Sequence, residues 1–265
     1  MKGIQFKLKN YLEVCIFIMN HKKEAMLEAI NLSKRYEDGT LAVDTLNLKV
    51  EEGEIFCLLG ANGAGKTTAI NLFLNFIEPT KGTAKINGIN VTTDPLEAKK
   101  YVSFVSENVM LYGNFSARQN LDFFAKLGGK TNLAKEDYYN VFRTVGLQEE
   151  SFEQKLKKFS KGMRQKIGLS IAIIKDAANM LLDEPTSGLD PKVAAEFINI
   201  LRELRERRKA ILICTHDIFR AKDLADRVGI MKEGRLVMVK NSNEFLQENL
   251  ERIYLDYMQQ QTVVL

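Results

Sequence analysis

Apolar residues along this chain fall into short runs separated by polar, glycine-marked breaks, and the spacing inside each run predicts its element. Residues 27–32 and 41–50 read as strands. In the second, Ala42, Leu46, Leu48 and Val50 are set against Val43, Thr45, Asn47 and Lys49, and Glu37-Asp38-Gly39 supplies the turn between the two strands. Together they predict a small antiparallel sheet. Residues 83–86, followed by Asn87-Gly88, add a further strand and a tight turn. Residues 55–59 form an unbroken apolar run of the kind that is buried on both faces. Short apolar strands recur at residues 180–182, 210–214 and 228–231, separated by helix-like segments such as 193–207 and 218–225. Alternation of this kind predicts parallel β-α units. From about Ser116 to Lys175, periodic segments punctuated by Gly128-Gly129 and Gly146 predict a mostly helical lobe. The sequence holds no internal repeat and no low-complexity tract.

Near the start, residues 11–19 are apolar apart from Glu13 and follow Lys2, Lys7 and Lys9, a superficial likeness to a signal peptide. A small-residue cleavage site is missing, and Met19-Asn20-His21-Lys22-Lys23 comes next. The stretch is also far below the roughly 18 uninterrupted apolar residues of a membrane span, and no other stretch approaches that length. The chain is therefore not expected to cross a bilayer by itself. Residues 1–25 are expected to be an extension outside the fold, with Met19 or Met26 as alternative starts.

Composition narrows the picture modestly. A chain of 265 residues with 45% hydrophobic content can bury a full core with an attached lobe. Lys and Arg total 38 against 34 Asp and Glu, so the net charge of +4 is weak support for a nucleic-acid partner, and none is expected. Of three cysteines, Cys57 and Cys214 fall in apolar runs where thiols act as small hydrophobes, which fits a reducing cytoplasm.

Chemistry enters at residues 60–67, Gly60-Ala61-Asn62-Gly63-Ala64-Gly65-Lys66-Thr67, placed between the apolar run 55–59 and the apolar-rich segment 69–76. Strand, glycine loop and helix in that order make a phosphate-binding loop. The glycines let several backbone N–H groups point inward at phosphates, and the helix starting near Lys66 adds the positive end of its dipole. Lys66 would reach the β- and γ-phosphates of a nucleoside triphosphate, and the Thr67 hydroxyl would hold Mg²⁺. A second element, Met180-Leu181-Leu182-Asp183-Glu184-Pro185, delivers carboxylates to the end of a buried strand. Beside a phosphate loop, Asp183 is expected to hold the metal and Glu184 to orient or deprotonate the attacking water. Taken alone, the same two carboxylates could cap the following helix.

The motifs Gly60 to Thr68, Phe159-Ser160-Lys161-Gly162-Met163-Arg164-Gln165, 181–185, Ser187-Gly188-Leu189-Asp190 and Thr215-His216-Asp217, in that order, resemble the ATP-binding cassette (ABC) family over about residues 27–240. The resemblance implies an α/β P-loop NTPase with a RecA-like parallel sheet core, an antiparallel β subdomain and a helical subdomain. It implies domain bounds of 26–241 for the ATP-binding domain, about 108–176 for the helical subdomain, and 242–265 for a C-terminal helical tail with an amphipathic stretch over 245–257.

ATP and Mg²⁺ are the implied cofactors, buried in a head-to-tail pair with a second ATP-binding cassette, in a homodimer or a heterodimer. Ser160 and Gly162 would meet the γ-phosphate held by the other chain, from the start of a helix that carries Ile167, Ser170, Ile171 and Ile174 behind. Against the family's usual Leu-Ser-Gly-Gly-Gln, this chain has Phe159, Lys161 and Met163 at the first, third and fifth positions. Lys161 either adds charge near the phosphate or faces solvent, as most lone lysines do. His216 stands where the family has a switch histidine that bonds the γ-phosphate. Asp190 would contact the opposite subunit, and Pro191 begins the next helix where no N–H donor is needed. Tyr36 stands where the family stacks a ring on adenine. The family's glutamine at the junction with the helical lobe is replaced by Glu107, which either ligates Mg²⁺ or points to solvent.

The implied function is the ATP-hydrolysing subunit of an ABC transporter, peripheral on the cytoplasmic face of the membrane and driving a permease on a separate chain. A soluble ABC-type ATPase of assembly or repair is the alternative. Substrate and direction of transport belong to the membrane partner.

Overall fold

Residues 25–247 and 250–259 are described by the structure, a computed structural model. The expected extension, apart from Ala25, and the last six residues of the expected tail lie outside the described residues. In chain order the elements are β1 (Ala25–Arg35), β2 (Leu41–Glu51), β3 (Ile55–Leu59), α1 (Lys66–Phe73), β4 (Lys81–Ile86), β5 (Ile89–Asn90), α2 (Pro95–Lys100), β6 (Val102–Val105), α3 (Ala117–Leu127), α4 (Lys135–Thr144) and α5 (Lys161–Lys175). They continue as β7 (Asn179–Asp183), α6 (Pro191–Glu206), β8 (Ala210–Thr215), α7 (Ile218–Leu224), β9 (Arg227–Lys232), β10 (Arg235–Asn241), α8 (Ser242–Gln247) and α9 (Leu250–Gln259).

Strands β3, β7 and β8 are buried at every position, because elements cover the core sheet on both faces. That sheet runs β10-β9-β3-β8-β7-β6. Its strands pair in parallel except β10, which returns antiparallel beside β9. The order sets the carboxyl ends of β3, β8 and β7 side by side. A second, antiparallel sheet, β2-β1-β4-β5, closes with the Asn87-Gly88 turn, both residues at positive φ.

One expectation is corrected here. Val43 does not share the polar face of Thr45, Asn47 and Lys49; it is buried with Leu46, Leu48 and Val50. The pairing of β1 with β2 shifts register in this region, with Asn31 at φ 46 and Thr45 at φ 54, and the irregularity reverses which residues face inward. Strands β6 and β10 and helix α2 have no counterpart among the sequence-predicted elements. Helix α1 stops at Phe73, short of Phe76, where Asn75 adopts φ 51.

Helices α3, α4 and α5 gather Leu121, Phe142, Phe152, Leu156 and Ile167 into the core cluster that also contains Leu59 and Leu182 of the central sheet. Ser116 opens α3 with a reciprocal capping box to Gln119. At the far end, the described residues of the amphipathic stretch are helical, in α8 and α9, and Phe245 and Leu250 are both fully buried.

Candidate functional site

The loop between β3 and α1 takes its shape from contacts that only glycine permits. Gly65 has φ +103, and a Cβ there would lie 2.2 Å from the Ala42 carbonyl oxygen. Gly63 has φ +83 with open space around it. Lys66, the first residue of α1, is buried, and its Nζ donates to the carbonyls of Gly60 at 2.7 Å and Ala61 at 3.2 Å, so the ammonium sits across the loop mouth. An open cleft of about 230 Å³ lies over this loop, lined by Asn62, Lys66, Thr68, Glu107, Asp183 and Glu184 among others.

Strand β7 delivers Asp183 into that cleft. The Thr67 hydroxyl donates to Asp183 Oδ2 at 2.8 Å, while Oδ1 is buried without a hydrogen-bond partner. Burial raises the Asp183 carboxyl above its usual range, the Thr67 bond and Lys66 oppose that rise, and Glu184 and Glu107 add to it. A buried carboxylate with an orphaned oxygen beside a hydroxyl is the donor set a hard cation takes. Among the described residues no group of three or more His, Cys, Asp or Glu side chains gathers as a metal cage. A cation here would therefore draw its remaining ligands from phosphate and water, as Mg²⁺ does.

Glu184 follows in a left-handed conformation, φ 45, uncommon for a residue with a side chain. Its Oε1 lies 2.9 Å from His216 Nδ1 and 3.6 Å from Lys66 Nζ, and Oε2 accepts the Thr215 hydroxyl at 3.2 Å. Neighbouring strands β7 and β8 thus bring Glu184 and His216 together from distant parts of the sequence. Neither Asp183 nor Glu184 caps the next helix. That role falls to Asp190, whose Oδ1 accepts the N–H groups of Lys192 and Val193, with Pro191 at the first helical position.

Not all of the other predicted site residues line this cleft. Ser160 caps α5, its oxygen accepting the Met163 N–H at 3.2 Å, which leaves its hydroxyl proton to donate outward. Ser160, Gly162, His216 and Asp190 are not among the residues lining the cleft. Tyr36 is partly exposed; its hydroxyl stands 3.5 Å from Thr68 Oγ1, and Lys34 Nζ lies 5.6 Å from its ring centre. Glu107 lines the cleft, and its Oε1 accepts the Ser187 hydroxyl at 3.0 Å and lies 3.6 Å from Lys161 Nζ. Lys161 therefore does not simply face solvent. Thr215 and Ser187, which hold Glu184 and Glu107, were present in the matched motifs but had no role that spacing alone could reveal.

The family model described as ABC transporter matches residues 43–187. An uncharacterized ABC transporter ATP-binding protein of Bacillus subtilis, YhcH, is 35% identical over 85% of this chain and 73% of its own length. The bacitracin transport ATP-binding protein BcrA of Enterococcus faecalis is 35% identical over 85% of this chain and 72% of its own. Among solved structures, a dimeric ATP-binding cassette in a post-hydrolysis state with ADP and Pi superposes with a TM-score of 0.75 at 25% identity, covering 82% of this chain and 99% of that one. No described helix is long and apolar enough to cross a membrane. With its phosphate loop, strand-end carboxylates and α/β core, the chain belongs to the ABC transporter family, as an ATP-binding and ATP-hydrolysing subunit.

Proposed function

We propose that this chain hydrolyses ATP at a site shared with a second cassette and passes the resulting closure and opening to a membrane permease on a separate chain. The observation that carries the reading is the convergence of Lys66, Asp183, Glu184 and His216 at the ends of three adjacent strands. Backbone N–H groups within residues 61–66 and the Lys66 ammonium bind the β- and γ-phosphates, with Thr68 beside them. The Lys66 ammonium, now on the Gly60 and Ala61 carbonyls, turns to phosphate when ATP enters. Tyr36 stacks on the base.

Thr67 and Asp183 would hold Mg²⁺, with Glu107 contributing an oxygen. When bound, Mg²⁺ neutralises charge that develops on the phosphate oxygens. Glu184 takes the proton of the attacking water, and His216, set by its bond to Glu184, donates to the γ-phosphate. Ser160 and Gly162 complete the site of the opposite cassette, and Asp190 lies along the junction. Domain bounds of 26–241, with a helical subdomain over about 108–176, follow the same reading.

Lipid-facing surface is left to the permease, so the subunit sits on the cytoplasmic face of the membrane. Relatives named for bacitracin transport support coupling to a transporter. Ser160→Arg is expected to abolish ATPase turnover while leaving ATP binding by the monomer intact; unchanged turnover would reject the shared site. Copurification from detergent extracts with a protein of about six apolar spans tests the permease.

A further inference from the structure

Two of the departures from the family pattern, Glu107 in place of the glutamine and Lys161 at the third position of the Leu-Ser-Gly-Gly-Gln segment, meet in space. Their charged groups lie 3.6 Å apart, with side chains 43% and 40% exposed. The same Glu107 oxygen accepts the Ser187 hydroxyl at 3.0 Å. Ser187 belongs to the turn after Glu184, its N–H donating to the Glu184 carbonyl at 3.1 Å. Gly188 lies beside it, and a Cβ at that glycine would stand 3.3 Å from Lys161 Nζ. The backbone of Glu107 is pinned as well. Gln165 of α5, almost wholly buried, donates from Nε2 to the carbonyls of Ser106 at 3.1 Å and Glu107 at 2.6 Å. One carboxylate thus ties together the strand-to-lobe junction, the start of α5 and the 187–190 loop.

An amide at position 107 keeps a partner for Ser187 but has no charge for Lys161. The carboxylate and the lysine therefore complement each other as a pair. We propose that Glu107 is a positioning residue that forms, with Lys161, a charged latch between the Ser160–Gly162 turn and the Ser187–Asp190 loop. Both segments face the second cassette in the reading above, on which this inference rests. Held by the latch, they approach that partner as one preorganised surface, with less ordering left to do on association. Because the pair is partly exposed, its contribution is small and screened by salt.

The test is a double-mutant cycle on ATP-dependent dimerisation, measured by sedimentation in the Glu184→Gln chain, which is expected to bind ATP without turning it over. Glu107→Gln and Lys161→Met are each expected to raise the dimer dissociation constant about two- to fivefold. The double variant should be no worse than the weaker-binding single. At about 1 M salt the coupling between the two variants should vanish. ATP affinity of the Lys161→Met monomer, measured below the dimerisation range, should be unchanged and reports that the chain is folded. A direct contribution of Glu107 to the metal weakens dimerisation equally with or without Lys161 and so cancels in the cycle. Additive effects of the two single variants overturn the latch. Absence of any ATP-dependent dimer in the parent Glu184→Gln chain overturns the shared-site reading itself, and the latch with it.

Discussion

Gly65→Ala and Gly63→Ala separate two costs that the phosphate loop combines. Both residues have positive φ, +103 at Gly65 and +83 at Gly63, so a side chain at either should cost about 1–2 kcal/mol in backbone conformation alone. At Gly63 nothing lies within 4 Å of the added carbon, and that conformational cost is the whole expectation. At Gly65 the carbon would lie 2.2 Å from the Ala42 carbonyl oxygen and 2.9 Å from Met231 Cε. The methionine can turn aside, but the carbonyl belongs to β2 and can withdraw only if the two sheets part. Overpacking of this kind adds about 1–3 kcal/mol, giving about 2–5 kcal/mol in total. Urea unfolding of the nucleotide-free chain, followed by circular dichroism, measures both variants against the parent. ATP affinity should fall further in Gly65→Ala, because relief of the clash displaces the N–H groups beside Lys66. If the two variants unfold within about 0.5 kcal/mol of each other, the close approach of β2 to the loop is wrong.

Three other outcomes follow from charges and contacts already described. Burial raises Asp183, so the folded chain holds its proton more tightly than the unfolded chain does, and stability falls as pH rises through that raised value. Asp183→Asn should accordingly melt higher than the parent at neutral pH, the gain shrinking toward pH 4, while turnover is lost; a melting gain equal at both pH values would contradict this. Arg227→Met removes the partner 3.0 Å from Glu54, a carboxyl that burial already raises, and should destabilise by about 3 kcal/mol at neutral pH. The loss should ease in mild acid, as Glu54 takes a proton and its burial no longer strands a charge, and denaturant melts across pH read this directly. His216→Ala should lower ATPase turnover about 10²- to 10⁴-fold with little change in nucleotide affinity, checked by phosphate release beside equilibrium binding.

Much of the core was legible because β3, β7 and β8 are covered on both faces, and burial on both faces leaves an unbroken apolar run that no loop imitates. The start of α6 was legible because Pro191 is a local signal, but its cap was not: the carboxylates offered as caps were Asp183 and Glu184, and Asp190 takes that role. Val43 was misread because the inward phase of β2 depends on irregular pairing with β1, a property of two strands and not of one. Strand β6 has only four residues, and β10 is an edge strand whose Val237 and Val239 remain partly exposed, so neither offers a clear periodic signal. The residue types of the phosphate loop and strand ends could be read directly. Their relations could not: the orphaned Asp183 oxygen, the His216 bond to Glu184 and the Glu107 contact with Lys161 all join segments that folding alone makes neighbours.

Adjacent residues in an extended strand point to opposite sides, yet Asp183 and Glu184 both line one cleft. The reversal of φ at Glu184 is what permits it: the chain swivels as it leaves β7, and two acids that pleating would have set back to back stand shoulder to shoulder. Asparagine or glycine would rest more comfortably in that posture. The site therefore keeps its second acid at the expense of backbone comfort.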